Sequence, residues 1–152
     1  GMHLGFKEAC FHSVACVEMD VDSSSTLRRN NPYSNAFTTD VRHFLDQFTL
    51  DRVHHLHASP PCQVFSIANS KGGNNDKKNN DLSLEVLRAV KKFDPLAVSY
   101  ENVTGLLLEK SRPYLMKLLT GFLESGYQVS CSLLRASHYG DPQDRIRVFL
   151  FA

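Results

Sequence analysis

Residues 82–103 read LSLEVLRAVKKFDPLAVSYENV, and the pattern in this stretch decides the fold class. Apolar residues recur at the i, i+4, i+5 and i+8 positions counted from Leu82, which is typical of one face of a helix. Asp94 and Pro95 end that helix, because proline cannot continue it. Residues 96–100 then form a short apolar run of strand type. A helix followed at once by a buried strand is the repeating unit of α/β folds.

The same alternation of helix and strand continues on both sides of that stretch. Strands are predicted over 13–19, 37–41, 53–58, 127–134 and 148–152, and helices over 5–10, 23–30 and 114–123. No helix separates the last two strands, which indicates an antiparallel hairpin at one edge of a mainly parallel sheet. Residues 69–81, NSKGGNNDKKNND, are too polar to pack, so we expect a long loop there.

Composition excludes several classes of protein. The 152 residues are 42% hydrophobic and 22% charged with a net charge of +1, which is typical of one compact domain and not of a strongly basic nucleic-acid binder. No run approaches the ~18 apolar residues that a membrane span needs, so we expect no membrane partner. The four cysteines form no C-x-x-C pair, and we expect Cys10, Cys16 and Cys131 to be small buried residues.

Three histidines lie in the predicted strand at 53–58. His55 and His57 share one face of that strand, and His54 lies on the other. Neither an acid nor a cysteine stands beside them at the spacing of metal ligands. We therefore interpret them as half-buried imidazoles and expect no metal site.

Three polar segments adjoin predicted strands and carry groups able to do chemistry. They are PCQ at 61–63, ENV at 101–103 and QDRIR at 143–147. Taken singly, a thiol, a carboxylate or an arginine pair beside a strand is more often structural than catalytic. In this order, however, the three segments resemble the nucleophile, glutamate and arginine motifs of the DNA cytosine-5 methyltransferases.

The resemblance to that family extends over nearly the whole chain. GMHLGF at 1–6 is similar to the end of its glycine-rich first motif, VEMD at 17–20 to its acidic second motif, and TDV at 39–41 to its third. Residues 66–81 are similar to the corresponding loop of fungal members. The resemblance implies a Rossmann-like sheet that binds S-adenosylmethionine, in a protein of the nucleus or, as the alternative, of a bacterial or viral cytoplasm.

The resemblance implies a catalytic role for four residues. Cys62 is expected to add as a thiolate to C6 of a cytosine flipped out of double-stranded DNA, which makes C5 able to attack a methyl group. A protonated Glu101 is expected to donate to N3 of the ring. Arg147, with Arg145 nearby, is expected to hold O2 and to stabilise the developing negative charge. The loop at 64–81 is expected to close over the base.

The methyl donor that the resemblance implies is S-adenosylmethionine. Glu18 is expected to accept hydrogen bonds from the ribose hydroxyls, with Met19 against the adenine face and Asp40 near the adenine edge. Four further positions are expected to complete the pocket: Gly1, Gly5, Pro60 and Leu82. Without the resemblance, Glu18 is only an acid at the end of a strand.

The resemblance also implies segments beyond these residues. Family members have a strand and a glycine turn ahead of the position of Gly1, and a target-recognition domain beyond that of Ala152. We therefore interpret residues 1–152 as a partial catalytic domain that lacks the first strand, and we expect it to be unable to methylate DNA alone. Two alternatives remain open, namely a non-catalytic remnant that serves as an interaction or structural unit and a tRNA cytosine-5 methyltransferase.

Overall fold

The computed structural model of the chain describes residues 2–32, 34–51, 53–61 and 75–152, with helix positions 75–81 and 83 described by their backbone alone. The chain divides into two units, Gly1–Asp51 and Arg52–Ala152. In both units helices alternate with short strands, as the sequence predicts. None of the helices in the described ranges combines the length and the apolar character that crossing a membrane requires.

The first unit is built on a pair of short parallel strands. Its elements in chain order are α1 (Met2–Glu8), β1 (Cys16–Glu18), α2 (Val21–Asn30), β2 (Ala36–Thr38) and α3 (Val41–Gln47). β1 and β2 run parallel, with Cys16 opposite Ala36 and Glu18 opposite Thr38. Their carboxyl ends therefore lie at one edge of the sheet.

Two aspartates begin the helices that follow these strands. Asp20 accepts a hydrogen bond from the Ser23 N–H at the start of α2 (2.7 Å), and Asp40 accepts one from the Arg42 N–H at the start of α3 (2.8 Å). Such a carboxylate satisfies an N–H that has no partner inside the helix. Its negative charge also interacts favourably with the positive end of the helix dipole. The sequence did not predict α3, because a seven-residue helix is too short to show periodicity and its cap was the main signal.

The second unit contains a four-stranded mixed sheet covered by two helices. Its main elements are β3 (His55–Ala58), α4 (Asn75–Phe93), β4 (Ala97–Asn102), α5 (Arg112–Glu124), β5 (Ser130–Arg135) and β6 (Ile146–Phe151). The strand order is β3-β4-β6-β5, with β3 parallel to β4 and β6 antiparallel to both of its neighbours. The predicted α/β fold with an antiparallel edge hairpin is thus confirmed.

One face of this sheet packs against α4 and α5. Tyr100, Phe122 and Val148 are fully buried in that core. Burial of each large apolar side chain stabilises the fold by ~1.5–3 kcal/mol. Gly121 lets the two helices come close, because a Cβ at that position would lie only 2.4 Å from Cδ1 of Leu87.

The structure moves several predicted boundaries in this unit, and the most important changes are at α4, at β4 and at β6, which begins at Ile146 rather than at residue 148. Helix α4 begins at Asn75, so the part of the expected loop that covers 75–81 is helical, in a stretch without glycine or proline after Gly73. Strand β4 includes Glu101 and Asn102 rather than ending before them. The reason is that β6 pairs with both residues, opposite Phe149 and Val148.

The expectation that the other cysteines are buried is wrong for two of them. Cys10 and Cys131 are exposed, and only Cys16 is partly buried. Cys10 follows α1 with a φ of 64°, in the left-handed region that helix ends often adopt. Cys131 lies on β5, the edge strand of the sheet.

His55 and His57, the two histidines on β3, share a partner on β4, whereas His54 precedes the strand and is exposed rather than half-buried as predicted. Nε2 of His55 and Nδ1 of His57 each lie 2.8 Å from Oγ of Ser99, a buried side chain directly opposite His57 in the parallel ladder. Both imidazoles are half-buried, as predicted, and burial lowers the pKa of His57 to about 4 and lowers that of His55 as well. Among the described residues, no cluster of His, Cys, Asp and Glu is arranged to hold a metal ion.

The low pKa of His57 predicts a loss of stability in mild acid. The unfolded chain takes up a proton on His57 below its ordinary pKa of about 6.5, whereas the folded chain resists protonation down to about 4. The free energy of unfolding should therefore fall as the pH drops from about 6.5 towards 4. Chemical unfolding at pH 7 and pH 5, followed by circular dichroism, should show a smaller difference for His57→Gln than for the wild type.

The exposed His54 provides a matched control for this measurement. His54→Gln should keep the contribution of the buried His57 to the pH dependence, because the substitution leaves that side chain in place. A His57→Gln profile parallel to that of the wild type would contradict the assignment.

Candidate active site

One ion pair joins the second and third of the sequence motifs. Nε of Arg147 lies 3.2 Å from Oε1 of Glu101, and the two side chains are only 22% and 20% exposed. The β4–β6 ladder explains the contact, because Glu101 is opposite Phe149 and Arg147 lies two residues before Phe149. Side chains two apart on a strand project from the same face. Two segments that are distant in sequence therefore form one site.

Arg147 is held in place by a second contact. Its Nη1 donates to the carbonyl of Ile146 at 2.8 Å. A guanidinium carries five N–H donors in one plane, so these two contacts leave capacity for a further acceptor. The carboxyl group can donate or accept a hydrogen bond, and the guanidinium can donate hydrogen bonds and carries a positive charge. Together the two groups are suitable for binding the polar edge of a planar ring.

Arg145 is not part of this pair. Its side chain is exposed in the loop ahead of β6, and in the described part of the chain no ion pair joins it to Glu101. Its backbone is ordered by hydrogen bonds, since the Arg145 N–H donates to the Gln143 carbonyl (3.0 Å) and the Ala136 N–H donates to the Arg145 carbonyl (2.9 Å). Beside it, Arg135 and Asp144 form an ion pair at 2.6 Å across the hairpin.

A buried polar pair lies on the opposite face of β4 from Glu101. Asn102 is 2% exposed, and its Nδ2 donates to the hydroxyl of Tyr100 at 3.1 Å. Its Oδ1 accepts a hydrogen bond from the Val103 N–H at 2.9 Å. Sequence reasoning missed Tyr100, although the hydroxyl of a tyrosine in the otherwise apolar run LAVSY was a signal that a polar partner lay nearby.

The predicted nucleophile motif at 61–63 lies mostly outside the described residues. Three predicted features fall outside the described residues: the nucleophile Cys62, residues 64–74 of the expected closing loop, and Gly1. Pro60 is partly buried and follows β3 by two residues. Pro60 follows the end of β3, and Glu101 lies one residue before the end of β4. Since the two strands are parallel, both residues lie at the same edge of the sheet.

Three predicted cofactor residues lie together in the first unit. Glu18 ends β1, Met19 follows it, and Asp40 comes shortly after β2, where the Thr39 N–H donates to the Glu18 carbonyl at 3.1 Å. Met19 is 63% exposed, so its side chain is accessible for contact with a ring. The Glu18 carboxylate accepts one hydrogen bond, from the Asp20 N–H at 2.9 Å, which leaves it able to accept others. These acceptor groups and the exposed Met19 side chain fit an adenosine at the carboxyl ends of parallel strands.

Asp40 also has a structural role. Arg42 donates to both of its oxygens, from Nε to Oδ1 at 2.9 Å and from Nη2 to Oδ2 at 2.6 Å. These hydrogen bonds lower the pKa of Asp40 to about 2, so it is ionised at any pH near neutrality. In the sequence, the signal for this contact was an acid two residues before an arginine at the start of a helix.

Two further predicted cofactor positions have plain surroundings in the structure. Gly5 lies on α1, and a Cβ built there meets nothing within 4 Å. Packing among the described residues therefore does not require glycine at this position. Leu82 lies on α4 and is partly buried.

Comparison with known proteins places these features in a family. The model of the family described as C-5 cytosine-specific DNA methylase matches residues 1–152. The Type II methyltransferase M.DdeI of Desulfomicrobium norvegicum is 37% identical over 158 residues, covering 98% of this chain and 37% of that protein. M.NgoMIV of Neisseria gonorrhoeae is 37% identical over 152 residues, covering 100% of this chain and 48% of that protein. The chain therefore spans less than half the length of these relatives.

Solved structures agree with the fold. A prophage-encoded DNA modification methyltransferase of E. coli superimposes with a TM-score of 0.78 at 29% identity, over 97% of this chain and 42% of that one. A Spodoptera frugiperda DNMT2 mutant gives a TM-score of 0.71 at 23% identity, over 99% of this chain and 45% of that one, which is a similarity of fold alone. The expected Rossmann-like methyltransferase fold is thus confirmed.

The relatives do not support every detail that was expected. The two similar methyltransferases come from bacteria, so neither the likeness to fungal members nor a nuclear setting is supported. The expected methyl donor is supported, because methyltransferases of this family use S-adenosylmethionine. With a family match over residues 1–152 and two DNA methyltransferases 37% identical along almost all of it, the chain belongs to the C-5 cytosine-specific DNA methylase family.

Proposed function

We propose that this chain provides catalytic residues of an enzyme that methylates C5 of cytosine in double-stranded DNA. The observation that carries the proposal is the Glu101–Arg147 ion pair, which brings an acid and a guanidinium together at the edge of the sheet. The family match adds the substrate class, since the family is described as cytosine-specific. S-adenosylmethionine supplies the methyl group when bound.

The reaction needs a nucleophile from the protein, because C5 of cytosine alone is too weak a nucleophile to attack a methyl group. In the proposal, the thiolate of Cys62 bonds to C6, and the electrons of the C5–C6 double bond move to C5. Once C5 is methylated, N3 returns the proton that it received from Glu101, and loss of the C5 proton with departure of the sulfur as a thiolate restores the ring. The parallel course of β3 and β4 supports this role, because residues 59–61, which come just before Cys62 in the sequence, follow β3 at the edge where Glu101 lies.

The ion pair has a separate task in the same reaction. Addition to C6 pushes negative charge into the ring, and a proton donated from Glu101 to N3 neutralises it. Arg147 is proposed to bind O2, where the guanidinium stabilises the remaining charge. Arg145 is proposed to assist from the loop ahead of β6. The target base lies inside a stacked duplex, so it must be flipped out before Cys62 can reach it.

S-adenosylmethionine is proposed to bind to the residues that the resemblance to the family implies. Glu18 accepts from the ribose hydroxyls and Met19 lies against the adenine, as their exposure and remaining hydrogen-bond capacity allow. Asp40 receives the adenine amino group with the acceptor capacity that Arg42 does not use. The remaining proposed contacts are Gly1, Gly5, Pro60 and Leu82.

The bacterial relatives also bear on where the enzyme works. They favour the alternative of a bacterial cytoplasm over a nucleus. A non-catalytic remnant and a tRNA methyltransferase remain as outcomes of the tests below rather than as separate proposals, and each assay therefore includes tRNA beside duplex DNA.

Cys62 should form a covalent adduct with DNA that contains 5-fluorocytosine. Fluorine at C5 cannot leave as a proton does, so the sulfur stays bonded to C6 after methyl transfer. Denaturing electrophoresis of the protein as its gene encodes it, with S-adenosylmethionine present, should show a shifted band. Cys62→Ser should abolish the band, and Cys131→Ser, which changes an exposed thiol, should not. A band that survives Cys62→Ser would place the nucleophile elsewhere, and an adduct with tRNA alone would change the substrate.

Glu101→Gln should keep DNA binding and lose ~10²–10⁴-fold in kcat, the usual contribution of a general acid. Glu85→Gln is the matched control, because Glu85 is also partly buried and also pairs with an arginine, Arg88, at 3.3 Å. Single-turnover methylation and fluorescence binding to duplex DNA measure the two properties. Near-normal turnover of Glu101→Gln would remove Glu101 from the mechanism.

Gly5→Ala tests the cofactor pocket without harming the fold. A methyl group there meets open space, and alanine should stabilise the helix by ~0.5–1 kcal/mol. If the cofactor approaches the backbone at Gly5, the same methyl group should raise the Kd for S-adenosylmethionine about tenfold, because forced contacts cost ~1–3 kcal/mol. Calorimetric titration measures the Kd, with the exposed neighbour Glu8→Ala as the control. An unchanged Kd would place the cofactor away from α1.

A further inference from the structure

Tyr100 and Asn102 form a hydrogen-bonded pair inside the core of the second unit. Tyr100 is 0% exposed and Asn102 is 2% exposed. They alternate with Glu101 along β4, so they face the core formed with α4 and α5 while Glu101 faces the opposite side. Glu101 therefore lies between two residues that are tied to each other.

The orientation of the Asn102 amide follows from its two contacts. The Val103 N–H can only donate, so it is the carbonyl oxygen Oδ1 that lies 2.9 Å from it. The amide nitrogen Nδ2 then points at the hydroxyl of Tyr100, 3.1 Å away, which accepts the bond. Phenylalanine at position 100 would leave that amide donor without this acceptor in an apolar core, and unsatisfied buried donors are strongly unfavourable.

The same amide holds the backbone on the far side of Glu101. Val103 follows β4 and is the first residue outside the 3₁₀-helix Thr104–Leu107, and its carbonyl accepts from the Leu106 N–H at 3.0 Å. Leu106 is itself fully buried. The side chain of Asn102 thus connects Tyr100 on one side of Glu101 with an anchored turn on the other, across the end of the strand.

We propose that Tyr100 is a positioning residue for Glu101. Its hydroxyl orients Asn102, the amide fixes the turn at Val103, and the backbone of Glu101 between them aims the carboxyl group towards Arg147 and the target base. Tyr100 lies outside the three-residue motif at 101–103, and its side chain faces the core rather than the face of β4 that carries the ion pair. The inference rests on the proposed function, in which Glu101 donates a proton.

Tyr100→Phe is the variant that tests this role, because it removes one hydroxyl and preserves the volume of the core. In the protein as its gene encodes it, we expect kcat to fall about tenfold, with the KM for DNA and for S-adenosylmethionine within about twofold of the wild type. Val90→Ala is the control, since it creates a cavity in the same core from a position on α4 rather than on β4. It should lower the unfolding temperature at least as much and leave kcat near the wild-type value.

A double mutant separates positioning from a general effect on stability. If Tyr100 acts through Glu101, adding Tyr100→Phe to Glu101→Gln should lower kcat no further. An equal tenfold loss in both backgrounds, or a single variant with normal kcat, would overturn the inference while the proposed function stands. Near-normal turnover of Glu101→Gln alone would instead overturn the proposed role of Glu101, and the positioning role would fall with it.

Discussion

The antiparallel pairing of β4 with β6 is the interaction on which the rest of the site depends. Backbone hydrogen bonds set Glu101 opposite Phe149 and Asn102 opposite Val148, and that register alone brings Arg147 within reach of Glu101. A shift of one residue would turn Arg147 towards the core, because successive side chains on a strand alternate between faces. A register that buries Val148 and Leu150 therefore also forms the ion pair.

The two faces of β4 serve different purposes. Val98 and Tyr100 bury apolar surface against the helices, whereas Ser99 and Glu101 point to the other face and make polar contacts with neighbouring strands. The apolar face stabilises the unit. The polar face holds a carboxylate and imidazoles because each side chain has a polar partner on an adjacent strand, which offsets part of the cost of burying it.

The polar contacts of the first unit follow a related logic at the ends of short strands. Asp20 and Asp40 each begin a helix shortly after a strand, and Glu18 is the last residue of the strand ahead of the first of these caps. Helix starts gather N–H groups that need acceptors, so acids accumulate there for structural reasons. The same accumulation offers acceptors to a ligand with hydroxyl and amino groups, which is why a cap such as Asp40 can belong to both the fold and the proposed pocket.

Local patterns in the sequence were enough to predict most helices and strands, the edge hairpin, and the family, because periodicity and ordered motifs are carried by residues close together in the chain. They did not predict α3, the early start of α4, or the extension of β4 through Asn102. Nor could they show that Arg147 rather than Arg145 contacts Glu101, or that Tyr100 binds Asn102. Those features depend on which strands pair and on which surfaces are buried, and such long-range contacts exist only once the chain has folded.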